Sequence, residues 1–275
     1  LRTTKRETAA EKLLNIDFAE PLAFLTLALT VILSRIPFIN IGYGTDPDAW
    51  RVALTGYWLW EHGEYFPSRL PGYPVQELAS ALVFKGGHLA TNSLTLAVSL
   101  LGLWYFAAIV RHLQLPHRAL LVVAFAFTPL LWINSMTTMD YMWALAFTLG
   151  AYYFILTQNS FAAGLMLGLA IGCRSTAILM FIPLAYYLIR DGRRSEIRLF
   201  ASELATDLSR FPYLNEWSTD DLQMMARLIV DTMVSTAEGL LEVPQTTPEL
   251  EEEVIRQTER QLLLIALGVP AWRSE

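Results

Sequence analysis

Residues Gly42–Pro74 read GYGTDPDAWRVALTGYWLWEHGEYFPSRLPGYP and follow an apolar run that ends near Ile39. Asp46, Asp48, Arg51, Glu61, Glu64 and Arg69 make the stretch too polar to lie in hydrocarbon. Trp50, Tyr57, Trp58 and Trp60 are residues favoured where lipid meets water. A loop of this kind, set between apolar runs, predicts a chain that is built around a membrane rather than around a soluble core.

Charge divides the chain in two. Residues 1–194 hold 14 Lys and Arg against 11 Asp and Glu, a net of +3. Residues 195–275 hold 6 against 15, a net of −9, and the two parts recover the overall −6. Such asymmetry signals two environments. The apolar fraction of 54% suits neither an ordinary soluble enzyme nor a pure membrane bundle. One cysteine, Cys173, excludes a disulfide framework within the chain. The first residue is Leu and not Met, and the basic, polar opening lacks a signal-peptide pattern.

Spanning the hydrocarbon core takes about 20 mainly apolar residues in a helix. Pro21–Ile39, Leu89–Val110, Ala119–Asn134 and Tyr141–Thr157 are the candidate runs, with Arg35 able to snorkel from the end of the first. Phe161–Ile189 is too long for one span and reads as two short helices meeting at Arg174 in "GCRST". Val75–Phe84 is too short to cross. The expectation is an all-α, polytopic membrane bundle of about six spans over residues 1–194, then a soluble acidic helical hairpin over 195–275. Lys5, Arg6 and Lys12, Arg111 and Arg118, and Arg190, Arg193 and Arg194 fall on one side if six spans cross. The positive-inside rule then puts both termini in the cytoplasm and loop 42–74, residues 135–140 and Arg174 outside.

"TDPDAW" admits two compatible readings. Asp46 as N-cap, Pro47 at the first helical position and Asp48 in the first turn make a good helix start. That helix would carry Trp50, Ala53, Leu54, Tyr57 and Trp58 on one face, suited to the headgroup layer. Alternatively, one carboxylate serves as a general base, since low-dielectric surroundings strengthen a carboxylate's hold on a proton.

A cytoplasmic start, one span, an outward loop opening with an acidic pair, an aromatic helix, "SRLPGYP" and further spans resemble the membrane-embedded GT-C glycosyltransferases. That class includes the protein O-mannosyltransferases and the aminoarabinose transferases. The resemblance covers residues 17–194, the amino-terminal part of that fold. It implies a polyprenyl-phosphate-linked sugar donor and an acidic catalytic residue in the first outward loop. Asp46 and Asp48 match that position, with Asp48 favoured because its place in the helix start is better fixed. Arg69, in the segment that re-enters the membrane, is placed to meet an anionic group. The implied setting is a bacterial plasma membrane.

Asp140 is the one Asp, Glu, Lys, Arg or His between Ala119 and Cys173. It reads either as a functional residue or as a helix cap at the membrane surface. Arg174 reads either as a ligand for a lipid phosphate or as a snorkelling side chain. His62, His88, His112 and His117 have no metal-ligand spacing; a divalent metal stays open, with no ligand cluster readable.

The last third becomes amphipathic. Leu222, Met225, Ile229 and Met233 make one stripe after a Ser218/Thr219 cap. Thr247 and Pro248 then start a second helix that Gly268 and Pro270 stop. A lone hairpin cannot bury both stripes. The segment, especially "ERQLLLIALGVPAWRS", resembles the carboxy-terminal half of TetR-type transcriptional regulators. That resemblance implies a homodimer through residues 218–268. No DNA-reading helix precedes it, so no nucleic acid is expected as a partner. The joined halves read as a fused or fragmentary frame, an incomplete transferase in front of a regulator's tail. The competing expectation is a membrane-anchored dimerisation or small-ligand module without catalysis.

Overall fold

The structure, a computed structural model, describes residues 13–190 and, beyond them, only Met224, Leu228, Thr232 and Arg256. Among the described residues every regular element is helical. Apart from those four residues, the acidic hairpin over 195–275 with its 218–268 dimer surface lies outside the described residues, as does the junction at 194/195.

Helix α1 is Pro21–Arg35, with proline at the start of its first turn. It buries Leu27, Ala28 and Val31, while Leu22, Leu25, Leu29 and Leu33 are each more than half exposed. Helix α2, Pro47–His62, is stopped by Gly63 at φ +70. Helix α3, Pro74–Leu82, leads through a 3-10 turn at Phe84–Gly86 into α4, Gly87–His112. Helices α5, Arg118–Ala126, and α6, Pro129–Asn134, then precede α7, Tyr141–Leu156. Helix α8 is Ser160–Cys173, followed by a 3-10 turn at Ser175–Met180 and α9 at Phe181–Arg190.

Small residues let these helices approach one another. A Cβ on Gly102 of α4 would lie 3.1 Å from the Ala146 methyl of α7. One on Gly150 of α7 would meet Tyr105 and Met166, and one on Gly172 of α8 would collide with Val75 of α3. Backbones packed this closely gain dispersion contacts that need no exclusion of water. Phe181, Leu167, Ile155 and Leu188 fill the core between α7, α8 and α9.

The expectation of about six spans is corrected. One helix among the described residues, Phe84–His112, is long and apolar enough to cross a membrane. With 26 residues, α4 itself is about 39 Å long against a hydrocarbon core of about 30 Å. Helices α1, α7 and α8 are apolar but have 15, 16 and 14 residues. Each therefore falls several ångströms short, at roughly 21–24 Å. Ala119–Asn134 is not continuous either. Pro129 lacks an N–H and drives Thr128 out of helical geometry, to φ −56, ψ 124, so the run splits into α5 and α6. The break at Arg174 occurs where the sequence puts it, with that residue extended at φ −151, ψ 118.

The split between α5 and α6 accounts for Arg35. Its guanidinium is buried instead of snorkelling outward. It donates to the Ala126 carbonyl at 2.6 Å and to Ser135 Oγ at 3.2 Å, and stacks over Phe127 and Trp132. A broken helix leaves carbonyls exposed at its negative end, and a cation there satisfies them.

The bundle has two polar ends. At one, Asp17 pairs with Arg118 at 3.4 Å and Glu20 with Arg111 at 3.6 Å. At the other lie residues 40–48 and 135–140, tied together by a buried amide. Asn92 Nδ2 donates to the carbonyls of Ile39 and Gly42, and Thr138 Oγ1 donates to Asn92 Oδ1. The Thr138 amide also donates to the Tyr43 carbonyl at 2.8 Å. Gly44 sits in this crossing at φ +145, with Thr137 and Ala49 each 3.3 Å from where a Cβ would stand, so no larger residue fits without strain.

Candidate functional site

Asp46 is the N-cap of α2. Its Oδ1 accepts from the Asp48 amide at 2.9 Å, and Pro47 occupies the first helical position. With its own carboxylate engaged at the helix start, Asp46 fixes the first turn, and Asp48 is the member of the pair that projects into the polar end.

Asp48 is held from two sides. Arg51, one turn along the same helix, reaches its Oδ1 at 3.1 Å, and Arg69 reaches its Oδ2 at 2.6 Å. Arg69 then bridges onward, with Nη2 2.9 Å from Asp140 Oδ2. Arg174 closes the row with Nη1 at 3.2 and 3.3 Å from the two Asp140 oxygens. Five side chains from α2, the loop after it, the start of α7 and the end of α8 thus alternate in sign as Arg51, Asp48, Arg69, Asp140 and Arg174. Asp46, Asp48, Arg69, Asp140 and Arg174, dispersed over 129 positions of sequence, meet at one end of the bundle.

Asp140 departs from its capping alternative. It precedes α7, yet its side chain makes no capping hydrogen bond and is 1% exposed. A buried carboxylate is tolerable only when paired and hydrogen-bonded, and here two guanidiniums do both. Arg174 departs from the snorkelling alternative in the same way. It faces Asp140 and lies over the Tyr141 ring at 4.3 Å. Arg69 lies over Tyr73 at 4.7 Å. Each guanidinium thus lies over a ring while its N–H groups meet the Asp140 oxygens.

Burial works against the charge on Arg69, but Asp140 and then Asp48 outweigh it and hold its pKa above the ordinary arginine value. The guanidinium stays charged throughout the working pH range. Its Nε is buried and has no hydrogen-bond partner among the described residues. No group of three His, Cys, Asp or Glu side chains that could hold a metal ion occurs among those residues.

Sequence reasoning missed Arg51, Tyr73, Tyr141 and above all Glu77. Arg51 could have been found, since a cation three residues after an acid on a helix faces it. Glu77 carried a signal as well, as the one acid in the apolar piece Val75–Phe84.

No family model matches this chain, and neither does any curated protein or any solved structure.

Proposed function

We propose that residues 17–194 form a membrane-embedded transferase unit of GT-C type, moving a sugar from a polyprenyl-phosphate donor to an acceptor hydroxyl on the outer face. The observation that carries this reading is the double bridge of Arg69 between Asp48 and Asp140, with Arg174 on Asp140. A phosphate is a better bidentate partner for guanidinium than a single carboxylate oxygen, so a donor phosphate competes for Arg69 and Arg174. As it binds, Asp48 Oδ2 is released from Arg69 and can accept a proton, while Arg51 stays on Oδ1. The acceptor oxygen then bonds to the anomeric carbon while its proton passes to Asp48. The bond from that carbon to the phosphate oxygen breaks, and the lipid phosphate leaves with the electron pair, its charge held by the two arginines.

Two further features favour a lipid setting. The exposed Leu22, Leu25, Leu29 and Leu33 of α1 make an apolar stripe too continuous for a water-facing helix. Trp50, Leu54 and Tyr57 make an exposed face on α2, as expected of a helix in the headgroup layer. In this reading α4 is the segment that crosses, and α1 and α7 pack against it. An apolar groove of about 520 Å³ between α1 and α4, lined by Ile32, Ile36, Leu96 and Leu100, offers room for part of an isoprenoid chain.

Purified protein in detergent, given a polyprenyl-phosphate sugar labelled in the sugar, tests the reading. Transfer of label to an acceptor alcohol supports it. Dimerisation with no turnover and no donor binding supports instead the membrane-anchored dimerisation module.

A further inference from the structure

Glu77 stands one turn into α3, and its carboxylate has no water contact. A buried acid of this kind ordinarily sits beside a cation. Among the described residues this one has no ion pair of the kind Asp48 and Asp140 have. Its two oxygens are filled instead by donors from a single stretch of chain. Oε1 accepts from the Ser68 amide at 3.0 Å and from Ser68 Oγ. Oε2 accepts from the Tyr65 hydroxyl and from the Tyr73 amide at 3.3 Å. These donors flank Arg69 on both sides.

The stretch has no helix or strand of its own to hold it. Between the end of α2 and Pro74 at the start of α3, its backbone must find partners outside regular structure. Glu77 takes two of those amides at once, one before Arg69 and one after it. Gly72 accommodates the turn at φ +105, a conformation that suits glycine, with Tyr65 Oη 3.3 Å from where a Cβ would stand. The guanidinium of Arg69 is thereby delivered between Asp48 and Asp140 on a short, tethered strap.

We propose that Glu77 is the positioning residue of this site, acting through residues 65–73 to seat Arg69 between the two aspartates. The consequence for sugar transfer rests on the transferase reading, but the seating of Arg69 does not and is measured without turnover. Glu77→Gln keeps the shape and replaces one oxygen by an NH2 donor. Whichever way the amide turns, that NH2 faces the backbone N–H of Ser68 or of Tyr73, and neither N–H can reverse its role. The strap loses its hold on one side of Arg69.

The experiment is arginine modification of the full chain in detergent by phenylglyoxal, with rates read at Arg69 and Arg174 by peptide mass spectrometry. Arg174 reports the Asp140 end of the site independently of the strap. Glu77→Gln is expected to speed modification of Arg69 about tenfold, the scale of one lost hydrogen bond to a carboxylate, with Arg174 unchanged within about twofold. Tyr65→Phe and Ser68→Ala each remove one hydroxyl contact and speed Arg69 by a smaller factor; they decide the matter if Glu77→Gln does not fold. An unchanged Arg69 rate in the folded variants overturns the proposal. So does an equal rise at Arg69 and Arg174, which reports general loosening of the bundle.

Discussion

Replacing Asp140 by Asn leaves the shape of the site intact and removes the anion that bridges Arg69 and Arg174. The two cations, 19% and 30% exposed, then face a neutral amide with one accepting oxygen in place of two and no negative charge. Breaking a buried ion pair by removing one partner costs roughly 3–5 kcal/mol. Both arginines keep some contact with water and Arg69 keeps Asp48, so the lower end applies, about 3 kcal/mol. Losing a helix cap, the other role open to an acid at this position, costs about 1 kcal/mol. The difference is large enough to separate the two. Pairing Asp140→Asn with Arg174→Met withdraws one stranded charge and returns about 1–2 kcal/mol, because the two changes couple through one contact. Equilibrium unfolding in a mild detergent, followed by tryptophan fluorescence, measures the wild type, both single variants and the double variant. A loss near 1 kcal/mol for Asp140→Asn, or a double variant as weak as the sum of its singles, would refute this account of the site.

Gly44→Ala forces a side chain into the crossing of residues 40–44 and 137–138 at a positive φ, and is expected to cost about 1–3 kcal/mol in the same unfolding measurement. In a Cys173→Ala background, a cysteine at Gly63 is expected to react with a membrane-impermeant maleimide in intact cells, while one at Gln245 is protected. The reverse pattern sinks the orientation drawn from the basic residues. The acidic tail is expected to associate through its apolar stripes, more strongly as salt screens its charge. Ile229→Asp in the full chain then abolishes dimerisation in sedimentation equilibrium; a wild-type chain that stays monomeric at high concentration refutes the regulator-like tail.

Local features were legible because their physics is local. "TDPD" gave the start of α2, since a cap, a proline and an acid act within one turn. Arg174 gave the break between α8 and the 3-10 turn after it, since a lone cation interrupts an apolar run. Pro129 was equally readable in Ala119–Asn134, and passing over it merged α5 and α6 into one span. Hydropathy in that run stays high on both sides of the proline, which is why counting apolar residues overstated the number of long helices. The residues of the site were nominated singly, each for its charge in an unusual place. Their pairing was beyond reach, because Arg69 and Asp140 stand 71 positions apart and nothing in either segment names the other. Glu77 escaped for the opposite reason. Its partners are all within twelve residues, but they are backbone amides and hydroxyls, which leave no charge pattern to read.

In the transferase reading Arg69 and Arg174 bind the phosphate of a lipid donor at the end of the bundle where Asp48 and Asp140 meet. Native mass spectrometry of the detergent-purified chain, titrated with a polyprenyl phosphate and with the same polyprenol lacking the phosphate, tests it directly. The phosphate form is expected to bind at least about tenfold more tightly, the scale of one charge-assisted pair, and Arg69→Met with Arg174→Met to erase the difference. Equal binding of the two lipids, or a preference for the phosphate that survives loss of both arginines, would contradict it.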